Sequence, residues 1–136
     1  MLVLDASVVV VACGVQDGFR PFGSEDLMAP PLLWSEATSA VHELMWRREL
    51  GGEQAVLSLS RLRSMPVRRR SHPRLTDEAW SVAEELGWAK TYDAEYVALA
   101  RLLRCRLVTL DARLRRGADR LGIVVTPQEY LESAPR

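Results

Sequence analysis

Short apolar runs alternate with longer stretches of helical periodicity along this chain, and that alternation restricts the fold more than any single motif does. Leu2-Val3-Leu4 is a continuous apolar strand, and Leu27–Pro30 is a second, very short one. From Pro31 to Leu50 apolar residues recur at Leu33, Ala37, Val41, Leu44 and Met45, the spacing of one helix face. Pro31 suits the first turn of that helix, and Gly51-Gly52 ends it. Residues 53–63 predict a second helix with Val56, Leu59 and Leu62 on one side, and "MPVRRR" a strand. A helix follows from Thr76 to near Gly87, its first acids answering the dipole. Thr91 caps another, whose buried face carries Tyr92, Tyr96, Leu99 and Leu103. Strands at 106–111 and 122–127 and a helical turn from Pro127 complete the pattern. Strands separated by helices predict an α/β fold with a parallel sheet covered on both faces. Residues 14–26 read as a loop, and no repeat or linker divides the chain, so residues 1–136 predict a single domain.

The opening run deserves a comparison with an export signal. Val10-Val11-Ala12-Cys13-Gly14 is similar to a lipoprotein cleavage box, but no Lys or Arg precedes it and Asp5 interrupts it. No run reaches the ~18 apolar residues needed to span a bilayer, so no membrane partner is expected. Lys+Arg and Asp+Glu balance at 18 each, and bulk charge therefore singles out neither nucleic acid nor a membrane surface. Lys90 is the only lysine beside 17 arginines. Cys13 and Cys105 make neither a disulfide framework nor a metal-ligand pair, which suits small buried hydrophobes in a reducing cytoplasm.

Four acids stand where parallel sheets bind ligands. Asp5 closes the first strand and Asp111 closes "LVTLD", so both belong on the carboxyl rim. Asp93 starts the helix leading into the Asp111 strand, and Glu36 lies in the first turns of the helix after Pro31. Each acid alone also fits a turn former, a helix cap or an answer to the helix dipole. Together, four carboxylates repel unless protons or a cation intervene. An oxygen-only cluster suits Mg²⁺ or Mn²⁺, which can activate water and stabilise a phosphodiester displacement. Strand alternation puts Thr109 on the side of Asp111, where its hydroxyl can support the site, although a β-branched residue also simply suits a strand. Glu95 falls on a different helix face from Asp93 and reads as a solvated acid.

"LVLDASV", "APPLLWSEATSAV", "TYDAEYVALA" and "RLVTLDARL", in that order, resemble PIN-domain proteins, and most of all the VapC-type toxin ribonucleases of bacterial toxin–antitoxin pairs. The resemblance implies a Rossmann-like three-layer α/β/α domain with a mostly parallel sheet of about five strands. It implies a Mg²⁺- or Mn²⁺-dependent endoribonuclease leaving 5′-phosphate and 3′-hydroxyl ends. It makes Asp5, Glu36, Asp93 and Asp111 the catalytic, metal-holding quartet, with Ser7 orienting the first carboxylate or a water. It implies a cognate VapB-type antitoxin, an RNA substrate, a homodimer and a cytoplasmic setting. Two departures stand out: residues 13–28 are short where family members commonly carry a longer helical arm, and Arg113 stands where some carry another acid.

Arg113, Arg115 and Arg116 lie nearest the proposed centre and are the first candidates for RNA contacts, ahead of Arg47-Arg48 and Arg68–Arg70. Trp34 suits base stacking or packing, and His42 and His72 are isolated. Among rival functions, a haloacid-dehalogenase-like phosphatase wants a second Asp where Ser7 stands. A receiver domain wants paired acids and a nearby lysine, and a dinucleotide site wants a glycine-rich first turn. A catalytically silent binding module of the same fold is the remaining alternative.

Overall fold

In the computed structural model, which describes residues 1–135, five parallel strands form one sheet in the order β3-β2-β1-β4-β5. The strands are β1 (Leu2–Leu4), β2 (Leu27–Ala29), β3 (Val67–Arg69), β4 (Arg106–Val108) and β5 (Val124–Val125). Leu2, Val3 and Leu4 are all buried, as a strand with neighbours on both sides and helices over its faces must be. At the edge, β3 buries Val67 and leaves Arg68 and Arg69 to solvent, and charge on an edge strand discourages pairing with another chain.

Among the described residues seven helices accompany these strands, six between them and one after β5: α1 (Ala6–Cys13), α2 (Leu32–Trp46), α3 (Gly52–Ser64), α4 (Leu75–Leu86), α5 (Tyr92–Leu103), α6 (Ala112–Gly117) and α7 (Pro127–Ser133). Helices α1, α2 and α3 pack on one another, whereas α4 packs on α5, which lies against β1 and β4. Arg101 of α5 bonds to Glu78 at 2.7 Å and Glu85 at 2.8 Å, fastening that helical pair. None of the described helices is long and apolar enough to cross a membrane. Both cysteines are free, with Cys13 buried and Cys105 half-buried.

The expected α/β architecture is observed, with local differences. Helix α2 stops at Trp46 rather than at the glycine pair, because Arg48 takes a left-handed φ of 60° and turns the chain. Helix α3 buries Ala55, Ser58 and Leu62, not Val56, which is 67% exposed. Small side chains at 55 and 58 let α3 approach its neighbours closely, and the larger valine faces out. Tyr92 is 58% exposed instead of buried, since the first turn of α5 stands above the sheet rim. Residues 14–26 hold a 3₁₀ turn at Arg20–Phe22, and Phe22 is buried with its ring 5.9 Å from that of Tyr130.

The sheet order sets the position of the site. From β1 the chain departs toward β2, and from β4 it departs toward β5, so the segments leaving these adjacent strands diverge. Such a switch point opens a crevice beyond the carboxyl ends of the two strands.

Gly18 rests directly against the backbone of Ala12, and a Cβ there would penetrate the Ala12 carbonyl. Gly18→Ala is expected to lower stability by about 1–3 kcal/mol through overpacking. Gly52→Ala, in open space at the start of α3, is expected to be neutral or mildly stabilising. Urea unfolding midpoints distinguish the two; equal effects would refute the packing account.

Candidate active site

Asp5 leaves β1 at the switch point and caps α1 with extended backbone, φ −95° and ψ 176°. It is 5% exposed, and its carboxylate is held from three directions. Ser7 Oγ donates to Oδ1 at 2.6 Å, the Val8 amide donates to the same oxygen at 3.2 Å, and Thr109 Oγ1 donates to Oδ2. A hydroxyl has one hydrogen, so both side chains can only accept from elsewhere. Ser7 Oγ accepts the Leu110 amide at 2.9 Å, and Thr109 Oγ1 accepts the Asp111 amide at 3.0 Å. Two parallel relays, amide to hydroxyl to carboxylate, thus tie the β1–α1 junction to the β4–α6 junction.

Asp111 caps α6, its Oδ1 accepting the amides of Arg113 at 2.9 Å and Leu114 at 3.3 Å. The ordinary capping explanation is therefore correct for Asp5 and Asp111, and both still stand at the crevice. Glu36, on α2, accepts a 2.6 Å hydrogen bond from the Tyr96 hydroxyl of α5. Tyr96 is 1% exposed, and its sequence spacing marks it only as core. A lone phenol at a helix-periodic position gives no signal for a partner 60 residues away.

Glu36, Asp93 and Asp111 line one cleft of about 660 Å³, together with Trp88, Lys90, Tyr92 and Arg113. Asp5 is nearly sealed off from solvent, and its charge is felt by Glu36 and Tyr96. Burial pushes the Asp5 carboxyl upward, against the pull of its bonds to Ser7, Thr109 and Val8, and Asp111 adds to the rise. Burial also raises Glu36; the Tyr96 bond opposes the rise, while Asp93, Asp5 and half-buried Glu95 reinforce it. Asp93, more open, moves the same way through desolvation and then Asp111, with Arg113 opposing. Burial and the adjacent Glu36 carboxylate drive the Tyr96 hydroxyl far above its ordinary range.

Of the three arginines singled out, Arg113 alone lines the cleft. Arg115 turns away to bond Glu129 at 3.0 Å and pair with Asp119, and Arg116 is exposed outside the cleft lining. Thr109 meets Asp5 rather than standing merely beside Asp111. Trp34 is half-buried with Arg69 stacked 4.7 Å from its ring, and His72 Nδ1 accepts the Arg74 amide. Lys90, Trp88 and Tyr92 are cleft residues to which the sequence reading assigned no part in the site.

The acids offer only oxygen, the donor set of hard divalent cations. Among the described residues no three His, Cys, Asp or Glu side chains stand at ligating spacing. Oxygen donors that are not at direct ligating spacing suit a hard ion such as Mg²⁺ that meets the acids partly through its own water.

The PIN domain pattern matches residues 2–120. Over 131 residues the chain is 35% identical to VapC ribonuclease Mb0985 of Mycobacterium bovis, a match spanning 94% of this chain and 100% of that relative. The same values hold for ribonuclease VapC9 of Mycobacterium tuberculosis. PAE2754 from Pyrobaculum aerophilum, a solved structure 24% identical, matches with a TM-score of 0.73 over 96% of this chain and 92% of that one, which shows a shared fold.

Thr109→Val keeps the shape but leaves Asp5 Oδ2 and the Asp111 amide without the hydroxyl between them. The expected loss is about 1–3 kcal/mol, and an unaltered urea midpoint would contradict it. A second outcome concerns pH. The raised Asp5 carboxyl favours the folded state below its unfolded value near 3.8, and that contribution is lost as pH rises through the raised folded value. In EDTA, the stability of Asp5→Asn relative to the parent should therefore climb as the pH rises from the unfolded value through the raised folded one. A pH-independent difference between the two proteins would show that Asp5 is not strained by its charge.

Proposed function

The chain belongs to the PIN-domain family and, within it, to the VapC-type ribonucleases, and from that premise we propose that it is a divalent-metal-dependent endoribonuclease acting as the toxin of a toxin–antitoxin pair. The observation that carries this reading is the Asp5 carboxylate, buried and held by two hydroxyls where the segments leaving β1 and β4 diverge, beside a cleft lined by Glu36, Asp93 and Asp111. In this reading residues 1–136 act as one catalytic domain in the cytoplasm, with RNA as substrate, a VapB-type antitoxin as regulator and a second copy as partner.

Asp5, Asp93 and Asp111, with Glu36, would hold Mg²⁺ or Mn²⁺. When bound, such an ion makes water a better nucleophile at neutral pH and offsets the charge that builds on a phosphodiester under in-line attack. The chain's own part is positional. Ser7 and Thr109 keep both Asp5 oxygens oriented, and Tyr96 holds Glu36 against the repulsion of Asp93 and Asp5. Oriented groups of this kind need little rearrangement as charge develops. Hydrolysis on this path leaves a 5′-phosphate and a 3′-hydroxyl.

The test is incubation of a mixed RNA pool with Mg²⁺ or Mn²⁺, with a chelator control and an Asp5→Asn variant. Cleavage by the parent, its loss in chelator, and a drop of at least about 100-fold in Asp5→Asn with folding retained by circular dichroism are expected. Undiminished cleavage by Asp5→Asn would remove Asp5 from the chemistry.

A further inference from the structure

The cleft holds more than acids. Lys90, in the turn between α4 and α5, and Arg113, in the first turn of α6, line it from two different elements. Arg47, Arg74, Arg101 and Arg115 are engaged in ion pairs elsewhere, whereas neither Lys90 nor Arg113 enters an ion pair among the described residues. Arg113 is close enough for its field to reach Asp93 and yet stands beyond ion-pair distance. Two uncommitted cations beside an acidic centre are a place for an anion that the acids themselves repel.

Tyr92 adds a different element. It is 58% exposed on the cleft wall, next in sequence to Asp93, while Tyr96 one turn later is buried. Trp34, the other aromatic near the start of a rim helix, already carries the Arg69 guanidinium on its face. Trp88 lies between the walls, its indole so close to Gly117 that a Cβ there would come within 3.2 Å. That contact braces the turn bearing Lys90 against the helix bearing Arg113.

We propose that Lys90, Tyr92 and Arg113 form the substrate-positioning wall of the cleft, the two cations holding backbone phosphates of RNA and the tyrosine ring stacking on an unpaired base. The assignment rests on the ribonuclease reading above and adds to it the residues that seat the strand. Cations act through charge and lose their effect in salt, whereas stacking is largely insensitive to it. The two contributions are therefore separable by experiment.

The experiment measures binding of a fluorescein-labelled single-stranded RNA pool by anisotropy across a salt series, and KM for its cleavage in Mg²⁺. The proteins are the parent, Lys90→Gln, Arg113→Gln, Tyr92→Leu, Tyr92→Phe and, as a net-charge control, Arg63→Gln on the exposed side of α3. Each cleft cation removed is expected to flatten the slope of log affinity against log salt by about 0.7. Tyr92→Leu is expected to weaken binding and raise KM by about 5- to 100-fold with the slope unchanged, and Tyr92→Phe to restore both. If the parent cleaves RNA but the variants match it, or Arg63→Gln behaves like them, the positioning wall is overturned and the ribonuclease reading stands. If the parent binds RNA with these dependences but cleaves none, the wall is supported and the ribonuclease reading fails. Absence of both binding and cleavage overturns both.

Discussion

The Asp5 carboxylate is the constraint around which the structure is organised. A nearly buried negative charge is tolerable only where donors surround it. Ser7, Val8 and Thr109 supply them, from one segment just after β1 and another just after β4. The two hydroxyls are in turn fixed by the amides of Leu110 and Asp111. The carboxylate therefore holds together the segments that leave two neighbouring strands, beyond the last backbone bond between them, from the Asp5 amide to the Val108 carbonyl. Fold and site share this interaction, and a residue serving both cannot be optimised for stability alone.

Electrostatics divide the molecule unevenly. Some charges along α4, α5 and α6 are matched: Arg101 answers Glu78 and Glu85, and Arg115 answers Glu129 and Asp119. At the cleft they are not. Asp5, Glu36 and Asp93 are all raised, first by desolvation and then by neighbouring acids: Asp111 acts on Asp5 and Asp93, and Asp93 and Asp5 act on Glu36. Perturbed carboxyls gathered at one cleft are the pattern of a functional site more often than of a plain surface. The exposed ion pairs contribute little each, so their placement matters more than their number.

What the sequence made legible follows from the range of each signal. Asp5 and Asp111 were readable because a carboxylate at a strand end falls on the rim through topology alone, and the motif order placed Glu36 and Asp93 beside them. The Asp5–Thr109 bond was not readable, since its partners are 104 residues apart and threonine also suits a strand. Tyr96 was hidden by its own burial, because a phenol in a helix core looks like any large apolar side chain until its hydroxyl partner is located. On helix α3 Leu62 is buried and Leu59 packs against the core as the pattern implies, and only Val56 yields its place to the smaller Ala55 and Ser58. Lys90 and Tyr92 lie in a turn and a first helical turn, where periodicity carries no information about which way a side chain faces.

The relays at Asp5 also set an arithmetic of lone pairs. A carboxylate offers about four acceptor positions, two on each oxygen. Ser7 and Val8 occupy both on Oδ1, and Thr109 occupies one on Oδ2. A single position is left, and it is on the oxygen facing β4. A ligand of this carboxylate would meet it at one point and from one direction, an aim fixed by the chain's own donors before any ligand arrives.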